Sequence, residues 1–171
     1  MSDDVQVPDA EPAVDEEIAR FWRAGRQRLG LGDLSAVMGE YPQGVLVPPI
    51  WTFEDADDAL AAILAGRKTA TSAVLDELEA LGSEGVPEPG DVAIVLDGDG
   101  HPRALVQAEE MRIARLGEVD AEHAGAELGV EPSADALARW RARNDAGVHD
   151  PEVRILLERF TLVHPTPDPR R

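Results

Sequence analysis

The chain contains no cysteine, and among its 16 basic residues there is one lysine, Lys68, against fifteen arginines. Without cysteine there can be no disulfide, thiolate nucleophile or cysteine-ligated zinc, which agrees with a reducing, cytoplasmic setting. No apolar run approaches the roughly 20 residues of a membrane-spanning helix, so no membrane partner is expected. The first eight residues, Met1 to Pro8, are acidic and polar where a secretory signal needs a basic start and an apolar block. Positive charge is scarce: 34 acidic residues leave a net charge of −18. Such a surface repels duplex DNA and anionic lipid, both of which reward basic patches. A small nucleoside ligand, or a short single-stranded RNA segment in a locally basic cleft, is still compatible with it. Nothing in the pattern specifies an oligomeric state.

Several catalytic signatures are missing too. There is no GxSxG turn, no phosphate-cradling P-loop and no HExxH pair, and no cofactor or metal is implied. Asp97 and Asp99 resemble half of a calcium loop, but no glutamate follows at the spacing an EF-hand needs, so Asp97-Gly98-Asp99-Gly100 reads as a hairpin turn.

What is present suits one domain of 171 residues with a single core. Residues 1–11 read as a disordered tail. From Pro12 the pattern is helical, with Asp15, Glu16 and Glu17 near its start and Arg23, Arg26 and Arg28 near its end, as the helix dipole favours. Asp33 to Met38 suggests a short helical turn, and the Pro- and Gly-rich stretch Gly39 to Pro49 a linker. A second helix spans Asp55 to Ala65, with Asp55 or Asp57 as its cap and Gly66 as its left-handed stop. Thr69, Thr71 and Val74 then alternate as in a strand, and Leu75 to Leu81 turns helical before a Gly82–Gly90 loop. Strands Val92–Leu96 and Arg103 to about Ile113 flank the Asp-Gly turn. Asp120 and Ser133 are placed to cap helices running to Leu128 and Asn144, a last strand covers Ile155 to Val163, and residues 165–171 read as a tail.

Lys68 sits in a basic, hydroxyl-rich turn, Gly66-Arg67-Lys68-Thr69-Ala70-Thr71-Ser72. Arginine stays protonated in proteins, whereas a desolvated lysine can approach neutrality and act as a base. His123 and Glu127 stand four apart on one helix face, close enough for a proton donor and acceptor to meet, although a buried packing role is the simpler reading for His123.

Trp51-Thr52-Phe53-Glu54, the helix ending in Gly66-Arg67-Lys68-Thr69-Ala70-Thr71, the Pro89-Gly90-Asp91 turn, His123-Ala124 with Glu127, and Trp140-Arg141 together resemble the ASCH domain over roughly residues 15–164. The resemblance implies an α+β fold: a small, PUA-like mixed β-barrel flanked by helices. Here it would occupy residues 50–164 behind a helical extension and linker at 12–49. It implies binding of a modified nucleoside or RNA-derived ligand. Some members are amidohydrolases that deacylate acetylated cytidine with the motif lysine, threonine and glutamate. Carried over by position, Lys68 becomes the base, Thr71 the nucleophile and Glu127 the orienting group or proton shuttle, with Trp51, Arg67, Thr69 and Ser72 as ligand-binding residues. The alternative is a noncatalytic RNA-binding module using Arg67, Lys68 and Trp51. In a regular strand Lys68 and Thr71 would face opposite ways, so their pairing requires Lys68 to lie in the turn after Gly66.

Overall fold

The computed structural model describes residues 11–30, 48–82, 86–144 and 150–165. Apart from Glu11, which opens a helix instead of ending the N-terminal tail, and Pro165, the expected tails lie outside the described residues, as do the Asp33–Met38 turn and most of the Gly39–Pro49 linker.

In chain order the elements are α1 (Glu11–Arg28), β1 (Ile50–Trp51), α2 (Ala56–Leu64), β2 (Ala70–Val74), α3 (Leu75–Ala80), β3 (Val92–Leu96) and β4 (Pro102–Arg115). A 3-10 turn (Leu116–Glu118), α4 (Ala121–Leu128), α5 (Ala134–Asn144) and β5 (Arg154–His164) complete the described chain. The five strands form one sheet in the order β1-β3-β4-β5-β2. Only β1 and β3 run parallel; the other ladders are antiparallel.

The local causes are mostly those the sequence suggests. Asp120 accepts the His123 N–H at 2.9 Å and starts α4, and Ser133 Oγ accepts the Ala136 N–H at 3.0 Å and starts α5. In the β3–β4 turn, Asp97 accepts from Arg103 Nε and from the Asp99 and His101 N–H groups. Those bonds, Arg103's first, hold its carboxyl down at about 2. The start of α2 departs from expectation. Asp55 precedes the helix without capping it. Its carboxylate is taken by Arg143 and that of Asp57 by the Gly98 N–H, so tertiary contacts outcompete the cap.

One face of the sheet carries α2, whose Leu60 and Ile63 pack on Ala93, Val95, Ala104, Val106 and Phe160. Burying each of those two side chains contributes about 1.5–3 kcal/mol. The opposite face is shared. There Trp140 of α5 and Ala124 of α4 pack on Ile155 and Leu157, while Ile18 and Trp22 of α1 cover Ile94 and Leu105. The alternation of strand side chains explains the division, since Ile94 and Leu105 point away from their chain neighbours.

The expected barrel does not form: the sheet is open. Closure requires its two edge strands to pair. β1 has only two residues before the chain turns off at Thr52, and β2 gives way to α3 directly after Val74, so the edges do not pair. The seam left between them holds the cleft described next.

Candidate active site

The link from α2 to β2 is folded back on itself by main-chain bonds. Gly66 adopts φ +72°, and the N–H groups of Arg67 and Lys68 both donate to the Ala62 carbonyl, at 2.9 and 3.0 Å. The Thr69 N–H then donates to Ala126 O of α4 at 3.0 Å, which clamps the link against that helix. The fit is close on the α4 side as well, where a side chain at Gly129 would meet Ala62 at 3.2 Å. Lys68 therefore precedes the strand, and the alternation that would turn it away from Thr71 does not apply.

The Lys68 amine is buried, with the residue 7 % exposed. Its Nζ donates to the main-chain carbonyls of Ala70 (3.0 Å) and Glu127 (2.7 Å) and lies 4.8 Å from the centre of the Phe53 ring. Burial pulls its pKa down to about 8, with Arg143 helping and the negative charge of Glu127 opposing.

The Glu127 carboxylate is held by three donors. Trp140 Nε1 reaches it at 2.7 Å, Ser72 Oγ at 2.8 Å and His123 Nε2 at 3.1 Å. An ionised carboxylate only accepts, so His123 donates through Nε2–H. Burial alone would raise the Glu127 pKa, but the bonds from His123 and Trp140, the Lys68 charge and the Ser72 bond outweigh it and keep the group ionised. A carboxylate so stabilised is a poor proton carrier and a good fixed anion. The three donors converge because α4 places His123 one turn before Glu127, and α5 packs the fully buried Trp140 edge-on against the His123 ring.

Around these groups lies a cleft of about 410 Å³, the size of a small-molecule site, lined by Phe53, Lys68, Thr71, Ser72, Glu127 and Arg143 among others. Lys68, Thr71, Ser72 and Glu127 thus share one cleft, although no hydrogen bond joins Lys68 to Thr71. The other candidates lie elsewhere. Trp51 packs edge-on against Phe53 and Phe160 in the core. Arg67 is exposed and donates to Gly129 O at 3.3 Å. Thr69 faces a broader groove of about 1370 Å³, which also takes in Lys68, Arg112, His123 and Arg159. Lys68 borders both, but the amine and the fixed carboxylate come together only in the smaller cleft. Among the described residues no three His, Asp or Glu side chains gather as metal ligands, and no helix is long and apolar enough to cross a membrane.

Sequence reasoning missed three residues of this region. Phe53 presents the aromatic ring in the cleft. Trp140 enters the sequence reading only through the Trp140-Arg141 resemblance, with no role in a site, although a buried indole N–H needs an acceptor. Arg143 bridges α5 to Asp55 at 2.6 Å across the cleft wall, and no local pattern announces that.

The ASCH domain model matches residues 49–164, and the chain belongs to that family. Two crystal structures share its fold. One is a protein of Enterococcus faecalis V583, with TM-score 0.62 and 23% identity over 86% of this chain and 93% of that one. The other is an ASCH domain from Lactobacillus crispatus JV V101, with TM-score 0.60 and 18% identity over 86% and 94%. No curated protein matches the sequence.

Proposed function

We propose that the cleft binds a modified nucleoside and hydrolyses the amide of an acylated cytidine. The observation that carries this reading is the Lys68 amine, buried in a ligand-sized cleft with its pKa drawn to about 8 beside hydroxyl groups and an aromatic ring. Neutral Lys68 takes the proton of the Thr71 hydroxyl, and Oγ1 attacks the acyl carbon. The C–N bond then breaks, the proton passes from Lys68 to the departing amino group of the base, and water releases the acyl group from Thr71. Glu127 acts as the orienting anion, because its ionised form is so strongly held. Its main-chain carbonyl fixes the amine directly. Catalytic hydrogen bonds commonly tighten only when substrate is seated, which accommodates the missing Lys68–Thr71 bond.

The charge around the cleft favours a nucleoside over an RNA strand. Glu54, Asp55, Asp58 and Glu127 line it against Lys68, Arg139 and Arg143, and Arg143 is engaged by Asp55. A polyphosphate backbone gains little there. The test is hydrolysis of N4-acetylcytidine by the wild type beside Lys68→Arg. Release of cytidine by the wild type alone supports the mechanism. Equal rates in both proteins would sink the lysine base, and no turnover in either, with salt-sensitive RNA binding, would favour the noncatalytic module.

A further inference from the structure

Among the described residues β2 is an edge strand, paired on one side only, with β5. The phase of that ladder follows from one bond: the Phe160 N–H donates to Thr69 O at 3.0 Å, which brackets the Ala70/Arg159 pair. Hydrogen-bonded and non-hydrogen-bonded pairs alternate in an antiparallel ladder. Thr71 and Ala73 are therefore the residues that exchange main-chain bonds with Glu158 and Leu156, while Ala70, Ser72 and Val74 turn their N–H and C=O groups away from the sheet. The Ala70 carbonyl bears this out, since Lys68 Nζ takes it from the outer side. The outward N–H and C=O of Ser72 have no partner among the described residues, and Ser72 lines the cleft.

Unpaired main-chain groups on a strand edge attract either another strand or a ligand with matching polarity. A strand is a poor occupant here. β2 is five residues long, its first outward carbonyl is already capped by Lys68, and the cleft along it is walled by residues of α2 on one side and of α4 and α5 on the other. What fits between those walls is a small planar group with an acceptor beside a donor, seated near the Phe53 ring. A cytosine edge offers that pair in N3 and the N4–H.

We infer that the Ser72 main chain reads the base: its N–H donates to the ring nitrogen N3, and its C=O accepts the N4–H of cytidine or of its N-acylated form. This rests on the nucleoside reading above and assigns the atoms that orient the base. The side chain of Ser72 does a separate job, since its hydroxyl is committed to Glu127.

The test uses the full chain labelled with 15N, titrated with cytidine and with N4,N4-dimethylcytidine, which lacks the donor. The expected result is a downfield shift and slowed hydrogen exchange of the Ser72 amide with cytidine, and about tenfold weaker binding of the dimethyl compound, the loss of one paired donor. If cytidine perturbs Phe53 and its neighbours while the Ser72 amide stays unchanged, the main-chain assignment is overturned and the nucleoside reading stands. If neither compound perturbs any cleft resonance, the nucleoside reading itself falls and takes this inference with it. Concentration-dependent protection of Ser72 without nucleoside would show the edge pairing with a second copy, and would also overturn the assignment.

Discussion

Lys68 Nζ donates to the main-chain carbonyl of Glu127 at 2.7 Å, while the Glu127 carboxylate is turned to Trp140, Ser72 and His123. The two charged groups form no salt bridge, although each lowers the cost of the other's charge at a distance. Had the carboxylate gripped the amine, the lysine would be held protonated. Binding it through neutral carbonyls leaves burial as the dominant influence, and burial favours the neutral amine.

That arrangement sets a pH dependence. The folded pKa of Lys68, about 8, lies below its ordinary value of 10.5. Between those values the unfolded chain binds more protons than the folded one, so stability from this group rises with pH across that window and is least favourable below 8. The size is on the order of 3 kcal/mol. In Lys68→Arg this component should vanish, because arginine does not titrate there. Urea denaturation at intervals from pH 7 to 10 checks it: equal slopes in the two proteins would rule out the depressed amine. The rate of the proposed hydrolysis should likewise climb through about pH 8.

Glu127→Gln should be costly beyond any effect on rate. All three donors reach Oε2 and only Ser72 also reaches Oε1, so glutamine meets them with a single uncharged oxygen and turns its N–H₂ toward the Ser72 hydroxyl, weakening each bond. A loss of about 2–4 kcal/mol is expected. Trp140 should report it directly, because its N–H exchanges a charged acceptor for a neutral one. An unchanged Trp140 emission together with unchanged stability would mean that the carboxylate is not the organising group.

Most element boundaries were legible because their signals are local: Asp120 and Ser133 as caps, Gly66 as a left-handed stop, the Asp-Gly turn of the β3–β4 hairpin. The turn position of Lys68 was legible too, from Gly66 and the strand alternation. The open sheet was not. It depends on how many residues Ile50–Trp51 contribute before the chain turns off, and strand pairing between distant segments leaves no periodic trace. The partners of the Glu127 carboxylate were half legible. His123 lies one turn away on the same helix, whereas Ser72 and Trp140 arrive from separate elements by tertiary packing. Asp55 illustrates the limit, since a good capping residue was diverted by Arg143, 88 positions downstream.

Glu158 gives a second titration of opposite sense. It is 6 % exposed on β5, directly across the ladder from Thr71 and Met111. Burial, aided by the charge of Asp91, raises its pKa from 4.5 to about 7. Between 4.5 and 7 the folded chain binds more protons than the unfolded one, so this group's contribution falls as pH rises through that window. Glu158→Gln removes the charge and keeps the shape. It should stabilise the protein at pH 8, by on the order of 3 kcal/mol, and change little at pH 4.5. Thermal melts of both proteins at the two pH values decide it: destabilisation at pH 8 would show that the ionised carboxylate has a compensating partner.

Gly125 tests how the helices bring Trp140 to Glu127. It lies buried within α4, where glycine is normally about 1 kcal/mol worse than alanine. A side chain at this position would meet Val130 O at 2.8 Å, Pro132 N at 2.9 Å and Pro132 Cα at 3.0 Å. All three belong to the turn that carries the chain from α4 into α5, and main-chain atoms cannot swing aside as a flexible side chain does. Gly125→Ala should therefore destabilise the protein by about 1–3 kcal/mol despite its better helix propensity. Moving that turn shifts α5 and its Trp140, so the indole emission should change as well. Gly66→Ala is the matching control. Its cost of about 1 kcal/mol comes from the positive φ alone, there is open space where the methyl would go, and the Trp140 emission should stay as in the wild type. If Gly125→Ala is as stable as the wild type with unaltered emission, the α4–α5 contact is looser than it stands and does not set the position of Trp140.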